Sequence, residues 1–312
     1  MLATATPAFV PTDYEWLRLR FEADRRSRSD ALLSRVREHC TGRPTLRVLD
    51  LGAGAGANLV YLAPRLPVDE QDWVLVDRDG ALLDRVPACC RALGSASPSM
   101  EVEPGRLRVG GQRVRYQTIV GDFVTDARVY EGRWDLVVAN AVFDLLPEPA
   151  IARFFERARW AFGDGCPPLY FTLNLDAGPA FHPESPEDEP VRALFHAHMR
   201  RPQALGRALG PESARAVARI AERFGFIVHA EQSPWQLGPS EARMLHAKLD
   251  FVENAVTEMV NAERGTARLG FGIDALARWM AARRAQVDRG ELSLTVAHRD
   301  LWLTPGFGAL AR

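Results

Sequence analysis

The chain is almost without lysine. Lys248 is the only one among 39 basic residues, and arginine supplies the rest. A GC-rich coding sequence would account for that bias, and no function is read from it. Net charge is equally scarce, at −1, which leaves no global electrostatic reason for binding nucleic acid or a membrane surface. The four cysteines (Cys40, Cys89, Cys90, Cys166) form no C-x-x-C pair, so neither a disulfide framework nor a zinc knuckle is signalled. No window approaches the roughly 18 apolar residues of a membrane-crossing helix. The opening "MLATATPAFVPTDYEW" has neither a basic stretch nor a continuous apolar one and does not read as a signal peptide. These absences predict a soluble, cytoplasmic protein. What is present suits a packed core: 312 residues, 47% hydrophobic and 25% charged, a length whose loose prior is about two domains.

Residues 13–40, "DYEWLRLRFEADRRSRSDALLSRVREHC", read as helical, with a middle too polar for one continuous amphipathic helix. From Leu46 strand and helix patterns alternate. "LRVLDLG" is followed by a short helix from Ala57 to Leu66, "DWVLVDRD" by a helix over 80–93. A Gly/Pro/Ser-rich excursion over 94–112 leads to "RVRYQTIVGDF". Then come "WDLVVANAVF", the helix "AIARFFERARWAF" and "PPLYFTLNLD". The alternation predicts an α/β fold with a mostly parallel sheet and helices on both faces. Residues 176–211, rich in Pro, His, Glu and Asp and without clear period, are expected to form a cap or lid insertion. A helix over 212–224 and "GFIVHAEQSPW" resume the sheet. A helical insertion over 238–290 carries Leu245, Leu249, Val252, Val256 and Met259 on one face, for packing on the domain or for a dimer contact. "ELSLTVAHRDLWLTP" closes the chain as a long strand. The expected organisation is an N-terminal helical segment, 1–44, before one domain over 45–312.

The stretch "RVLDLGAGAGANLVYLAP" raises the question of ligand, because Gly52, Gly54 and Gly56 let something approach the backbone closely. Gly52 to Ala57 satisfies the dinucleotide fingerprint G-x-G-x-x-G/A; a Walker loop is excluded, since no Gly-Lys-Ser/Thr follows. Asp50, two residues before the first glycine, would sit unfavourably against a pyrophosphate and suits an ammonium group. Asp77 ends the second strand where a ribose diol would be held. Asp122, in "VGDF", is placed to accept from an adenine amino group, with Phe123 beside the ring. Adenine, ribose and amino acid without phosphate describe S-adenosylmethionine.

"VLDLGAGAG", "LVDRD", "GDF" and "WDLVVANAVFDLL" resemble, in order and spacing, the successive motifs of class I S-adenosylmethionine-dependent methyltransferases. The resemblance covers about residues 45–175. It implies a Rossmann-like, seven-stranded sheet with the last strand antiparallel. It also implies cofactor contacts from Asp50, Gly52, Gly54, Gly56, Asn58, Asp77, Arg78, Asp122 and Phe123, with Asn140 near the methionine portion. Members acting on nucleobase or glutamine amino groups often carry Asn/Asp-Pro-Pro-Tyr/Phe after the fourth strand. Here Asn140-Ala141-Val142-Phe143 lacks the prolines, which speaks against such an acceptor. The stretch ending in "ALGP" looks like one in some uncharacterised bacterial methyltransferases.

Methyl transfer needs a positioned nucleophile and, for hydroxyl or ammonium acceptors, a base. Asp144 after the fourth strand is one candidate. His196 and His198 are others, suited to base work near neutral pH. Arg200 and Arg201 suit a substrate carboxylate or phosphate. Asn174 and Asp176 end the fifth strand, and Trp235 would wall the pocket. Gly206 and Gly210 would let the His/Arg segment move as a cover. An H-x-H pair sharing a face would bind metal only with further ligands such as His182, Glu184, Asp188 or Glu189, and no metal is predicted. The leading expectation is a methyltransferase for a small molecule. The alternatives are an RNA or protein methyltransferase using a basic face of Arg25, Arg26, Arg28 and Arg35, a non-catalytic cofactor-binding scaffold, and an NAD-dependent oxidoreductase.

Overall fold

Ser29 divides the charged N-terminal stretch in two. The structure, a computed structural model, describes residues 14–94, 100–203, 206–262 and 271–306. In it α1 (Tyr14–Ser27) ends where Ser29 takes up extended backbone, and the Ser29 hydroxyl accepts from the Leu32 N–H to cap α2 (Asp30–Cys40). The polar middle of 13–40 is therefore a helix junction. Residues 1–13 of the expected N-terminal segment and 307–312 of the expected domain lie outside the described residues.

The alternating region follows as β1 (Leu46–Leu51), α3 (Ala57–Leu62), β2 (Glu70–Asp77), α4 (Gly80–Leu83) and α5 (Val86–Gly94). Next come β3 (Met100–Glu103), β4 (Arg106–Val109), β5 (Gln112–Val120), β6 (Leu136–Asn140), α6 (Glu148–Phe162) and β7 (Leu169–His182). The C-terminal part holds α7 (Asp188–Met199), β8 (Pro202–Gln203), β9 (Gly206–Arg207), α8 (Ser213–Arg223), β10 (Phe226–Gln232) and β11 (Trp235–Leu237). The helices α9 (Ala242–Ala262) and α10 (Ile273–Asp288) and the strand β12 (Ser293–Pro305) complete it.

The main sheet runs β10-β12-β7-β6-β1-β2-β5-β4-β3, with β11 paired to β12, and so has ten strands rather than the expected seven. The seven are there: β5, β2, β1, β6 and β7 are parallel, and β12 lies antiparallel between β7 and β10. The additions are β11 and the antiparallel hairpin β3-β4, which extends the β5 edge. The hairpin occupies 100–109 of the expected excursion at 94–112, of which 95–99 lie outside the described residues. Its signal is short, since each strand has four residues in which Leu107 and Val109 are the buried ones.

Alternation along the strands builds two cores. Val48, Trp73, Leu75, Leu136 and Val138 face α2, α3 and α5, while Leu49, Leu51, Val74, Val76, Val137 and Ala139 face α6 and α8. A third core sits beyond the strand ends. There β7 does not stop at Asp176 but runs on to His182, paired only with β12 once its pairing with β6 has ended at Thr172. Pro179 is tolerated because this overhang is ladder-bonded to β12 alone. On the overhang pack Val191, Leu194 and Phe195 of α7, Leu245, Leu249, Val252 and Val256 of α9 and Leu276 and Trp279 of α10. The apolar stripe of 238–290 thus packs within the chain, and the described residues of 176–211 include the end of β7, α7 and the short strands β8 and β9. Trp279 Nε1 and the Arg283 guanidinium both donate to Asp188, fastening α10 to the start of α7.

Asp300 ties these parts together. Fully buried, it accepts from the Leu173 N–H on β7 and the Ser29 N–H between α1 and α2, each at 2.8 Å. Asp300→Ala should lower stability by about 3 kcal/mol in urea unfolding, because it leaves the buried Leu173 N–H and the half-buried Ser29 N–H without their acceptor. An unchanged midpoint would show that the tie is dispensable.

Candidate functional site

The strand order reverses between β1 and β6, and the crevice this leaves at the strand ends opens into a cavity of about 720 Å³. Its floor comes from the glycine loop. The Gly52 φ of +63° is a left-handed conformation, and a Cβ there would fall 2.6 Å from Val142 Cγ2, so glycine lets β1 and β6 turn against each other. Gly54, also at positive φ, donates its N–H to Asp77 at 2.7 Å. Gly56 serves another purpose, for it opens α3 in left-handed conformation, packs on Val86 and does not line the cavity.

Asp50 is fully buried beneath the loop. Asn58 donates to its Oδ1 at 3.0 Å, and Arg28 donates to Asn58 Oδ1 at 2.7 Å. Asp50 Oδ2 has no partner among the described residues. Burial pushes this carboxyl up to about 7, against the pull of Asn58 and Arg28. Further along the edge Asp77 also accepts from the Asp79 N–H, exposed Arg78 stands at the rim, and Asp122 accepts from the Val124 N–H. Phe123 is buried with its ring edge-on to Phe143 and Phe154. Asn140 accepts from the Thr172 hydroxyl at 2.8 Å and turns its amide towards Asp24. Asp50, Gly52, Gly54, Asn58, Asp77, Arg78, Asp122, Phe123, Asn140, Asp144 and Trp235 all line this one cavity.

The cap side carries residues that the sequence did not single out. Arg20 on α1 grips buried Asp24 through Nε and Nη2, at 3.0 and 3.2 Å, and lies over the Trp235 ring. Trp235 Nε1 donates to the same Asp24. Lys248 on α9 stands between Phe195 and Phe251, and His298 on β12 lies against Trp235. Burial, then Arg20 and Lys248, hold His298 well below the ordinary histidine range, so it is neutral. Asp144, in the turn that follows β6, is pushed up to about 6 by burial, with Arg20 the strongest opposing charge. An i, i+4 pair such as Arg20–Asp24 on a charged helix carries no sequence mark separating it from surface pairs like Arg25–Glu22, three apart on the same helix.

Other sequence candidates lie elsewhere. His196 and His198 stand two apart on α7 and face different sides. His196 Nε2 fills the space that a Cβ on Gly178 would need, and His198 approaches Glu258 at 3.4 Å. Burial lowers both below the usual imidazole range. Arg200 pairs with Glu212 and Arg201 with Glu258, each at 2.6 Å. Asn174 donates to the carbonyls of Phe171 and Arg299, holding the β7–β12 irregularity together, and Asp176 pairs with Arg215 and Arg299. Among the described residues no three His, Cys, Asp or Glu side chains gather as a metal site. No described helix is long and apolar enough to cross a membrane.

No protein-family model matches the chain, and no curated protein does. Solved structures do. A cyclopropane-fatty-acyl-phospholipid synthase-like protein from Lactobacillus casei superposes with a TM-score of 0.51 at 14% identity, over 93% of this chain and 92% of that one. A cyclopropane synthase from Mycobacterium tuberculosis gives 0.44 at 13% identity, over 94% and 96%. A phosphoethanolamine N-methyltransferase from Haemonchus contortus, crystallised with S-adenosylhomocysteine, gives 0.41 at 12% identity, over 97% and 61%. The Lactobacillus likeness establishes the shared Rossmann-like α/β fold.

Gly52→Ala should destabilise the protein by about 1–2 kcal/mol from the left-handed backbone alone, with the Val142 clash added. In a thermal melt, Gly52→Ala combined with Val142→Ala should recover part of that loss relative to the two single changes. Strict additivity would show that Val142 is not what excludes a side chain here.

Proposed function

We propose that the cavity holds S-adenosylmethionine along the glycine loop and that the protein transfers the methyl group to a small-molecule acceptor enclosed by the cap. The observation that carries this reading is Asp50 Oδ2, a buried carboxylate oxygen without a partner at the cavity wall. An ammonium group satisfies it and a pyrophosphate is repelled by it, which separates this cofactor from NAD. The rest of the strand edge fits the same ligand. Asp77 already accepts two backbone N–H groups, yet carboxylate oxygens keep lone pairs for ribose hydroxyls. Asp122 and Phe123 stand together where an adenine amino group and ring would lie. Asn58 and Arg28 orient Asp50 from behind.

When bound, the sulfonium supplies an electrophilic methyl group for in-line displacement. This chain's part is to hold the acceptor in line, exclude water and take its proton. Asp144 suits the proton transfer because it lines the cavity, and at about 6 its carboxylate is mostly ionised at neutral pH while remaining basic enough to receive a proton. His196 and His198 fit better as packing residues of α7. An RNA acceptor is disfavoured because three of the four arginines that would form its basic face are already engaged. Arg25 pairs with Glu22, Arg26 with Glu241, and buried Arg28 lies over Tyr61.

Calorimetric titration with S-adenosylmethionine, S-adenosylhomocysteine and NAD in parallel tests the reading. Binding of the first two and none of NAD is expected, and the reverse would return the glycines to a dinucleotide. Asp77→Ala should weaken S-adenosylhomocysteine by about tenfold or more while the fold survives. Once an acceptor is in hand, the rate of transfer should rise as pH passes through about 6 and then level, since ionised Asp144 is the active form. Asp144→Asn should lower that rate by about 10²- to 10⁴-fold with cofactor affinity kept. A flat pH profile between 5 and 7 would remove Asp144 from the reaction.

A further inference from the structure

We propose that the acceptor carries an anionic group, a carboxylate or a phosphate monoester, which the Lys248 ammonium receives on the cap side of the cavity. This substrate class rests on the methyl-transfer reading of the same site. Lys248 is only 8% exposed, lines the cavity, and forms no hydrogen bond or ion pair with any described residue. A charge on a largely buried side chain is costly unless paired, and an anion in the cavity would supply the pair.

The neighbours sharpen the point. Arg20, the other cation on this wall, is already compensated by its two hydrogen bonds to Asp24. Asp144 is near enough to favour the charged form of Lys248, yet it lies beyond the 4.0 Å of an ion pair. The Lys248 stem is not free to swing away, because Nζ sits 4.8 Å from the Phe251 ring centroid and 5.2 Å from that of Phe195. Those same contacts argue against a cationic acceptor: the aromatic faces that would receive its ammonium are occupied by the protein's own. Trp16, stacked on Phe251 at 6.0 Å, adds a flat apolar wall for the acceptor's body. The result is a cavity with an ammonium and a carboxylate base near each other and aromatic surface beside the ammonium. An acceptor would span it with its acidic group on Lys248 and its nucleophile at Asp144.

The test is titration calorimetry at neutral pH with four probes of similar size: benzoate, phenyl phosphate, benzyl alcohol and benzylamine. Each is run with and without saturating S-adenosylhomocysteine. At least one anion should bind about tenfold or more tighter than benzyl alcohol, and benzylamine should be weakest. Which anion binds tighter separates carboxylate from phosphate. Lys248→Met should abolish the anion preference without changing affinity for S-adenosylhomocysteine, and Lys248→Arg should retain much of it. Equal or tighter binding of benzyl alcohol or benzylamine would overturn the proposal. So would an anion preference that survives in Lys248→Met, or no detectable binding by either anion. If Lys248→Met does not fold, the ranking of probes on the unmodified protein and on Lys248→Arg decides. An anion preference in a protein that fails to bind S-adenosylhomocysteine would leave Lys248 as an anion site and remove methyl transfer.

Discussion

Everything on the cap side hangs on the antiparallel pairing of β7 with β12 after the rest of the sheet has ended. Residues 173–182 have β12 as their only ladder partner, and β11 joins β12 from the other side. Register irregularities in β12 lie between Val296 and His298 and between Arg299 and Leu301. His298 and Asp300 are buried in phase with Leu294 and Val296, so the alternation carries both inward beside these irregularities. Ala141 and Leu173, where β6 and β7 part, both adopt positive φ, near +50°. That conformation costs about 1–2 kcal/mol in a residue with a side chain. The hydrogen bond from the Leu173 N–H to buried Asp300 offsets part of it and fixes the edge on which the third core is laid.

The cavity between sheet and cap is electrically crowded and partly enclosed. In such a place each ionisable group is pushed towards its neutral form, and only a close partner restores the charge. Asp144 rises to about 6 and Lys248 falls to about 8, both mainly through burial. Between those values the two remain oppositely charged. Arg20 and Asp24 instead settle their charges directly on each other, with Trp235 donating to the same carboxylate, so α1 is fastened to β11 by a polar contact inside an apolar core. Helix α1 is in this way a wall of the cavity.

The strand-end acids and the small residues between them were legible because they obey local rules. A strand must end before its loop, an acid there faces the crevice, and a left-handed turn asks for glycine. Gly56 shows the limit of that reading: same type and same motif, but it serves helix packing on Val86 rather than the cavity. The length of β7 was not legible, because Gly178 and Pro179 are ordinary strand breakers until β12 supplies a one-sided ladder. The hairpin β3-β4 was hidden by its shortness. His196 and His198 looked like a facing pair only while their stretch had no assigned period; the helix turns them apart.

By itself the sequence determined the α/β class, the order of the parallel strands' motifs and the acids and glycines at the strand ends, since each depends on residues close together in the chain. Tertiary structure alone decided the cap side. The Arg20–Asp24 pair of α1, Lys248 of α9 and His298 of β12 come from well-separated stretches, and no spacing rule relates them across the cavity to Asp144, the one member the sequence had singled out. Whether each is a surface charge or a buried one depends on what folds over it. Lys248 is the plainest case. On an amphipathic helix a lone lysine reads as a solvated residue, and only the packing of α9 onto α7 makes it a buried, unpaired ammonium.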